Sequence, residues 1–110
     1  MAAVTFTKRQ SYLEGYQYSE VISDGNTGGD IIVSPVIAGK RLTCRLICGA
    51  GSGKIQTTTS ADSAVAAGTA NWVDHPSGPF TGTFTDAIVG EVTGVRGVSV
   101  SGEITIEVVI

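Results

Sequence analysis

The segment KRLTCRLICGAGSGKIQTTT, residues 40–59, decides the expected fold class because it joins a strand pattern to a cluster of glycines. Apolar residues alternate through its first half, at Leu42, Cys44, Leu46 and Cys48. β-Branched residues fill its last part, and both patterns are typical of strands. We therefore expect two strands, residues 40–48 and 54–59, joined as a hairpin by a loop in which glycine supplies positive φ angles.

The glycines of CGAGSGKI, residues 48–55, also invite comparison with a phosphate-binding loop. That loop has the pattern G-x-x-x-x-G-K-[ST] and opens a helix. Here Cys48 stands at the first glycine position and Ile55 at the hydroxyl position, and the residues that follow alternate as in a strand. The segment therefore predicts a turn between strands and not a nucleotide site.

Composition extends the strand prediction to the whole chain of 110 residues, which is long enough for one domain and contains 15 glycines and 13 threonines. Residues 61–67 fit a short helix or a loop equally well. About eight strands are expected, within the segments 4–7, 16–23, 30–37, 40–48, 54–59, 71–74, 82–86, 91–98 and 103–109.

Turn signals recur about every ten residues, which indicates a two-sheet sandwich or a small barrel. The expected fold is all-β, a single antiparallel β-sandwich of the jelly-roll or Ig-like type. Residues 1–10 are expected to form an N-terminal arm or edge strand, and residues 11–110 the β-sandwich domain.

The two cysteines, Cys44 and Cys48, are expected to be small core residues. They lie four apart in a strand, roughly 13 Å from each other, which is too far for a disulfide. The amino-terminal stretch has no long apolar run, so neither a secretory signal nor a membrane span is expected and the protein should be made in the cytoplasm.

Charge is scarce and unevenly distributed along the chain. Arg96 is the only basic residue of the second half, whereas the first half contains Lys8, Arg9, Lys40, Arg41, Arg45 and Lys54. Folding could keep these charges as separate patches or mix them in space. Only 15% of residues are charged, against roughly 25% in typical domains, which suggests that much of the surface is covered in the working state.

No arrangement of residues predicts catalysis, so we expect no enzyme, no catalytic residues, no metal site and no cofactor. His75 is the only histidine, and we expect it to be exposed in a loop. Residues 24–30, DGNTGGD, resemble a calcium loop, but Pro35 stands where a bidentate glutamate belongs, so a turn is expected. The net charge of −3 argues against nucleic-acid binding.

Four aromatic residues leave a carbohydrate-binding module open as an alternative. Trp72, Tyr12, Tyr16 and Tyr18 could stack on sugar rings. The simpler interpretation is that they cover the rim of a small core.

Five segments of the second half alternate strand-like and turn-like residues: GKIQTTTS (53–60), ANWV (70–73), TGTFTDA (81–87), GEVTGVR (90–96) and SGEIT (101–105). Through them, about residues 53–110 resemble small all-β virion proteins of tailed bacteriophages. The resemblance implies a structural protein of the particle that decorates or cements the capsid, with neck, connector and tail components as the alternative.

For such a protein the resemblance implies that the major capsid protein is the partner. The chain would form a homo-oligomer, expected to be a trimer, on the capsid surface of the virion, and would be made in the host cytoplasm. Neither nucleic acid nor membrane would be bound.

Two groups of residues are the candidate contacts. Val4, Phe6, Lys8 and Arg9 belong to the amino-terminal segment, which could add a strand to a neighbouring subunit or form an edge strand of its own domain. Arg96 is expected to form a structural salt bridge with Asp86, with a contact to the capsid as the alternative.

Overall fold

The structure is a computed structural model, and it describes residues 3–5, 7–8, 16–32, 42–88 and 92–109. The described chain is all-β and mostly antiparallel, with nine strands in one curled sheet. The strands are β1 (Ala3–Thr5), β2 (Thr7–Lys8), β3 (Tyr16–Ile22), β4 (Asp30–Ile32), β5 (Leu42–Thr58), β6 (Val73–Asp74), β7 (Phe80–Ile88), β8 (Gly94–Ser101) and β9 (Ile104–Val109). A short helix, α1 (Asp62–Ala67), lies between β5 and β6.

Strand β5 organises the fold, and it overturns the predicted hairpin. Residues 42–58 form one continuous strand of 17 residues, so the two expected strands do not fold back on each other. The glycines bend this strand instead of reversing it, and Gly49 has a φ of 57° at the bend. Pairing with β7 is interrupted between Ile47 and Ser52, which marks a large β-bulge.

The bend divides the sheet into two half-sheets that share β5. The first half-sheet contains β7, residues 42–47 of β5, β9, β3 and β2, and the second contains β6, residues 52–58 of β5, β8, β4 and β1. β8 and β9 follow each other along the chain but pair with different parts of β5. A strand that changes sheets through a bulge is the usual way in which a sheet turns a corner.

The core lies on the inner side of the curled sheet. Fully buried apolar side chains come from both half-sheets, among them Leu42, Cys44, Leu46, Ile55, Val95, Ile106 and Val108. Glycine allows the halves to approach closely: a Cβ atom on Gly97 of β8 would lie 2.8 Å from Cδ1 of Ile22 in β3. The packing is therefore close where the two half-sheets meet.

Two turns are fastened together at the corner of the sheet. The backbone N–H of Gly102, between β8 and β9, donates to Oδ1 of Asp24 at 2.8 Å. The buried Ser99 accepts from the N–H of Gly25 and donates to the carbonyl of Gly102. Residues 24–30, which resemble a calcium loop in sequence, therefore contain a turn that packs on the β8–β9 connection, and the predicted turn is confirmed.

Helix α1 confirms the helical alternative for residues 61–67. It ends at Gly68, which has a left-handed φ of 76° and donates its N–H back to the last turn. Val65 is its buried residue, and α1 packs against β4 and β1. Among the described residues, no helix has the length and apolar character needed to cross a membrane.

The amino-terminal segment takes part in the chain's own sheet. β1 pairs in parallel with β4, and β2 pairs antiparallel with β3, so these two short strands lie at opposite ends of the strand order. Val4 belongs to β1 and Lys8 to β2, whereas Phe6 and Arg9 lie outside the described residues.

Candidate protein-docking face

The outer face of the first half-sheet is the surface with the clearest potential for binding. Its side chains point away from the core because they alternate with buried residues along each strand. They come from β3, β5, β7 and β9 and form cross-strand rows: Thr83–Ile47–Thr105–Val21, Thr85–Arg45–Glu107–Ser19, and Ala87–Thr43–Val109. We call these eleven residues the outer face.

The charges of the outer face pair with each other. Arg45 Nη1 lies 3.9 Å from Glu107 Oε1 on the neighbouring strand. The Arg45 Nε–H also donates to Oγ1 of Thr85, at 3.1 Å, on the other side. The face therefore has no net charge, and hydroxyl and methyl groups of threonine form much of it.

Apolar groups on the outer face are exposed. Val21 is 59% exposed and Val109 is 36% exposed. A cleft of about 510 Å³ opens beside them, lined by Tyr18, Ser19, Thr43, Arg45, Thr85, Glu107 and Val109. Within this cleft, burial and the nearby Glu20 raise the pKa of Tyr18 above its ordinary value. A neutral face with exposed valines and a cleft fits a protein surface better than a charged ligand.

The second half-sheet has a row of polar side chains that runs across four strands. Gln56 of β5 lies opposite Arg96 of β8 and opposite Asp74 of β6. Arg96 donates through Nε to Gln56 at 2.7 Å and through Nη1 to Asp30 at 3.4 Å. Gln56 in turn donates to Asp74 at 2.7 Å, so these groups satisfy one another.

This row corrects the predicted salt bridge of Arg96. Its carboxylate partner is Asp30, whose side chain is only 3% exposed, and not Asp86. The reason is register: β4 places Asp30 beside Arg96 in the second half-sheet, whereas Asp86 lies in β7 of the first. The Arg96 guanidinium also lies over the ring of Trp72, 4.4 Å from its centroid, so it covers that side of the indole.

Asp74 is held at the edge of the row by two donors. Lys54 Nζ lies 3.3 Å from Asp74 Oδ2, and Gln56 donates to Oδ1. These hydrogen bonds, from Gln56 first and then Lys54, lower the pKa of the Asp74 carboxyl. Lys54 is the lysine of the glycine-rich segment. It lies in an extended strand, where it contacts a carboxylate, and it is not part of a phosphate-binding loop.

His75 is largely buried, which corrects the expectation of an exposed loop residue. Its side chain is 13% exposed, and Nε2 lies 3.0 Å from Asp86 Oδ2. The backbone N–H of Ser77 donates to Nδ1, so the ring holds its proton on Nε2 and donates it to Asp86. The ring packs edge-on against Phe80 and Phe84, which stack on each other at 3.8 Å. His75 thereby fastens the loop before β7 onto that strand.

The core assignment of the cysteines is confirmed. Cys44 is 0% exposed and Cys48 is 1% exposed. Burial raises the pKa of the Cys44 thiol to about 12. Burial also raises the pKa of Cys48, against an opposing hydrogen bond from the backbone of Gly53. Both thiols are therefore protonated and unreactive at neutral pH.

The basic and acidic halves of the sequence mix in space. Arg45 pairs with Glu107, Lys54 with Asp74, and Arg96 with Asp30, so each of these three pairs joins the two halves of the chain. Within the described ranges no group of three or more histidine, cysteine or acidic side chains could hold a metal ion.

The outer face was not predicted from the sequence. Its signal is nonetheless present, because Thr83 and Thr85 lie two residues apart and Arg45 and Glu107 occupy outward positions of alternating strands. Of the aromatic residues proposed to bind sugar, Tyr12 lies outside the described residues, Tyr18 lines the cleft, and Trp72 is covered on one side by Arg96.

Comparisons with known proteins give only distant likenesses. No protein family matches the chain, and no curated protein matches it. Among solved structures, an oxalate oxidase in complex with glycolate has a TM-score of 0.44 and 16% identity over 86% of this chain and 40% of its own. The capsular polysaccharide assembling protein CapF from Staphylococcus aureus has a TM-score of 0.46 and 11% identity over 94% of this chain and 30% of its own.

A third likeness is to Bacillus endospore appendages, described as a family of disulfide-linked pili. Its TM-score is 0.36, with 13% identity over 86% of both chains. This chain spans only about 40% of the length of the oxalate oxidase. These weak likenesses assign neither a family nor a function.

Proposed function

We propose that this chain is a non-enzymatic structural protein of a tailed-bacteriophage virion that binds the assembled capsid and stabilises it. The observation that supports the proposal most is the outer face, which is electrically neutral, rich in threonine and partly apolar. A surface of this composition fits a protein partner because only two of its eleven side chains are charged, and these two have opposite sign and lie 3.9 Å apart.

The outer face has the chemistry of a docking surface. Val21 and Val109 are exposed apolar groups that gain from burial, at roughly 25 cal/mol per Å². The threonine hydroxyls around them can donate to and accept from a partner's backbone. The cleft between β3 and β7 can receive a protruding side chain, which is the usual form of a strong contact in an interface.

Binding through this face would stabilise a capsid by mass action. A protein that binds only the assembled lattice, as a homo-oligomer contacting neighbouring copies of the major capsid protein, shifts the equilibrium toward the assembled state. Such a protein needs only affinity for the assembled capsid. A face of rigid, paired strands loses little conformational entropy on binding.

The proposed fold type is a β-sandwich of the jelly-roll or Ig-like class expected from the sequence. Close approach of Gly97 in the second half-sheet to Ile22 in the first supports face-to-face packing of the two halves. The outer face would then lie on one broad side of the sandwich.

Cosedimentation with purified capsids tests the proposal. The chain should pellet with assembled capsids and remain in solution with unassembled capsid protein. Val21→Asp, which places a charge in the outer face, should weaken pelleting at least about tenfold. The matched control is Val73→Asp, because Val73 is 64% exposed but lies in β6, away from the outer face.

Two results would contradict the proposal. One is equal binding to assembled and unassembled capsid protein or to neither. The other is a loss of binding in the Val73 variant that matches the loss in the Val21 variant, because the outer face would then have no special role.

A further inference from the structure

In the part of the chain that the structure describes, strand β7 ends the first half-sheet and has no strand beside one of its edges. Within the described residues, β7 pairs along one side with β5, and no other strand pairs with it. It is nine residues long, whereas the other end strands are short: β1 has three residues, and β2 and β6 have two each. Among the described residues, β7 therefore has the longest outward edge.

The hydrogen bonds of Asp86 and Ala87 show which backbone groups face outward. The Ala87 N–H donates to the Asp86 side chain, at 2.9 Å, and so does not point toward β5. Backbone groups of successive strand residues point to opposite edges. The N–H and C=O groups of Thr83 and Thr85 therefore point to the same outward edge as the N–H of Ala87.

Few features of β7 protect this edge. Natural edge strands are usually blocked by lysine, proline or several charges. Between Phe80 and Ile88, Asp86 is the only charged residue, and the outward side chains around it are threonine and alanine. Gly82 has a φ of 66° and bends the strand near its start, which leaves residues 83–88 as a regular stretch.

We propose that this edge pairs with β7 of a second copy of the chain, antiparallel about a twofold axis at Thr85. In that register Thr85 lies opposite Thr85, Thr83 opposite Ala87, and Asp86 opposite Phe84, so the two carboxylates do not face each other. Pairing would join two first half-sheets into one continuous sheet and place their two outer faces side by side.

The occupant is a second copy because the charges of the strand suit self-pairing. A twofold axis at Asp86 would place the two Asp86 carboxylates opposite each other. With the axis one residue away, at Thr85, that repulsion is absent. Threonine opposite threonine is a favourable cross-strand pair. The hydrogen bonds of the pairing come from backbone groups of β7, so the pairing does not depend on the proposed binding to a capsid.

The native mass of the full chain in solution tests the pairing. Light scattering after size exclusion, over a wide dilution series, should give twice the 11.3 kDa chain mass at high concentration and a shift toward one chain on dilution. Thr85→Pro removes an outward N–H and should give a single-chain mass throughout. Thr85→Ala is the matched control, because it loses the same hydroxyl but keeps the N–H, and it should remain dimeric.

A second readout applies if Thr85→Pro does not fold. Amide hydrogen exchange at Thr83 and Thr85 of the unaltered chain should slow at least about tenfold between dilute and concentrated samples, since pairing would protect these amides. A monomer at all concentrations, a trimer, a dimeric Thr85→Pro variant that is folded, or unprotected amides at these positions in a concentrated sample would each overturn the inference.

Discussion

Replacing Gly51 with alanine should destabilise the protein more than the same change at Gly49, the other glycine of β5 that is not buried. A Cβ atom at this position would overlap the carbonyl oxygen of Ser101 and lie 3.2 Å from both the carbonyl oxygen of Cys48 and the Cα of Gly102. All of these are backbone atoms, so no flexible side chain can move aside. The bend of β5 and the β8–β9 turn would have to separate.

The expected loss follows from the type of overlap. Overpacking in a close-packed region costs about 1–3 kcal/mol, and a clash with backbone on two sides belongs at the upper end, about 3 kcal/mol. For a domain of this size that corresponds to a fall in melting temperature of roughly 10–20 °C. Urea unfolding followed by tryptophan fluorescence would measure the free energy, and thermal unfolding followed by circular dichroism would measure the melting temperature.

Gly49 supplies the matched control within the same bend. It has a φ of 57° but nothing within 4 Å of its Cβ position, so Gly49→Ala should lose only about 1 kcal/mol, from backbone strain. If Gly51→Ala lost no more stability than Gly49→Ala, the close approach of β5 to the β8–β9 turn would be refuted as a structural requirement.

Three further predictions concern the buried and polar groups. Arg96→Met should cost about 3–5 kcal/mol in urea unfolding, because it leaves the nearly buried Asp30 without its cation; adding Asp30→Asn should recover part of this, and a loss below about 1 kcal/mol would contradict the pairing. Hydrogen bonds lower the pKa of Asp74, so its stabilising contribution is present above its unfolded pKa, near 4, and disappears as the pH falls through the lower folded value. Asp74→Asn should therefore lose less stability than the unaltered chain between about pH 5 and about pH 2, and equal losses would refute the role of this carboxyl. Both cysteines should react with a thiol reagent only at the rate of unfolding, and rapid labelling of the native protein would contradict their burial.

The sequence predicted strands well where one face of the strand is buried. Alternation at Ile104, Ile106 and Val108 identified β9, because burial on one side imposes a period of two. Residues 61–67 fitted a short helix or a loop equally well, and the structure has the helix. Alternation is a local signal, and it is sufficient where one face of a strand is buried.

The bend in β5 could not be predicted from the same signals. A hairpin loop and a bulged strand both require glycine and a positive φ, so residues 48–53 fit either structure. What separates them is the pairing of β5 with β7, β8 and β9, all of which lie far along the chain. Tertiary pairing therefore decided between two local alternatives.

The partners of the charged residues were also beyond the sequence. Arg96 and Asp30 are 66 positions apart, and only the strand order brings them together. The burial of His75 was also not predictable from the sequence, because it depends on contacts of the loop with Phe80, Phe84 and Asp86 of β7. The composition of the outer face could be predicted as polar, but its neutrality required knowing that Arg45 lies beside Glu107.

The proposal that this chain is a structural component of a virion can be tested by its copy number in purified phage particles. Quantitative mass spectrometry would compare it with the major capsid protein. A protein bound throughout the capsid lattice should give a ratio near one chain per capsid subunit. A ratio of a few per cent would assign the chain to the neck, connector or tail instead of the capsid lattice, and complete absence from the particles would contradict the proposal.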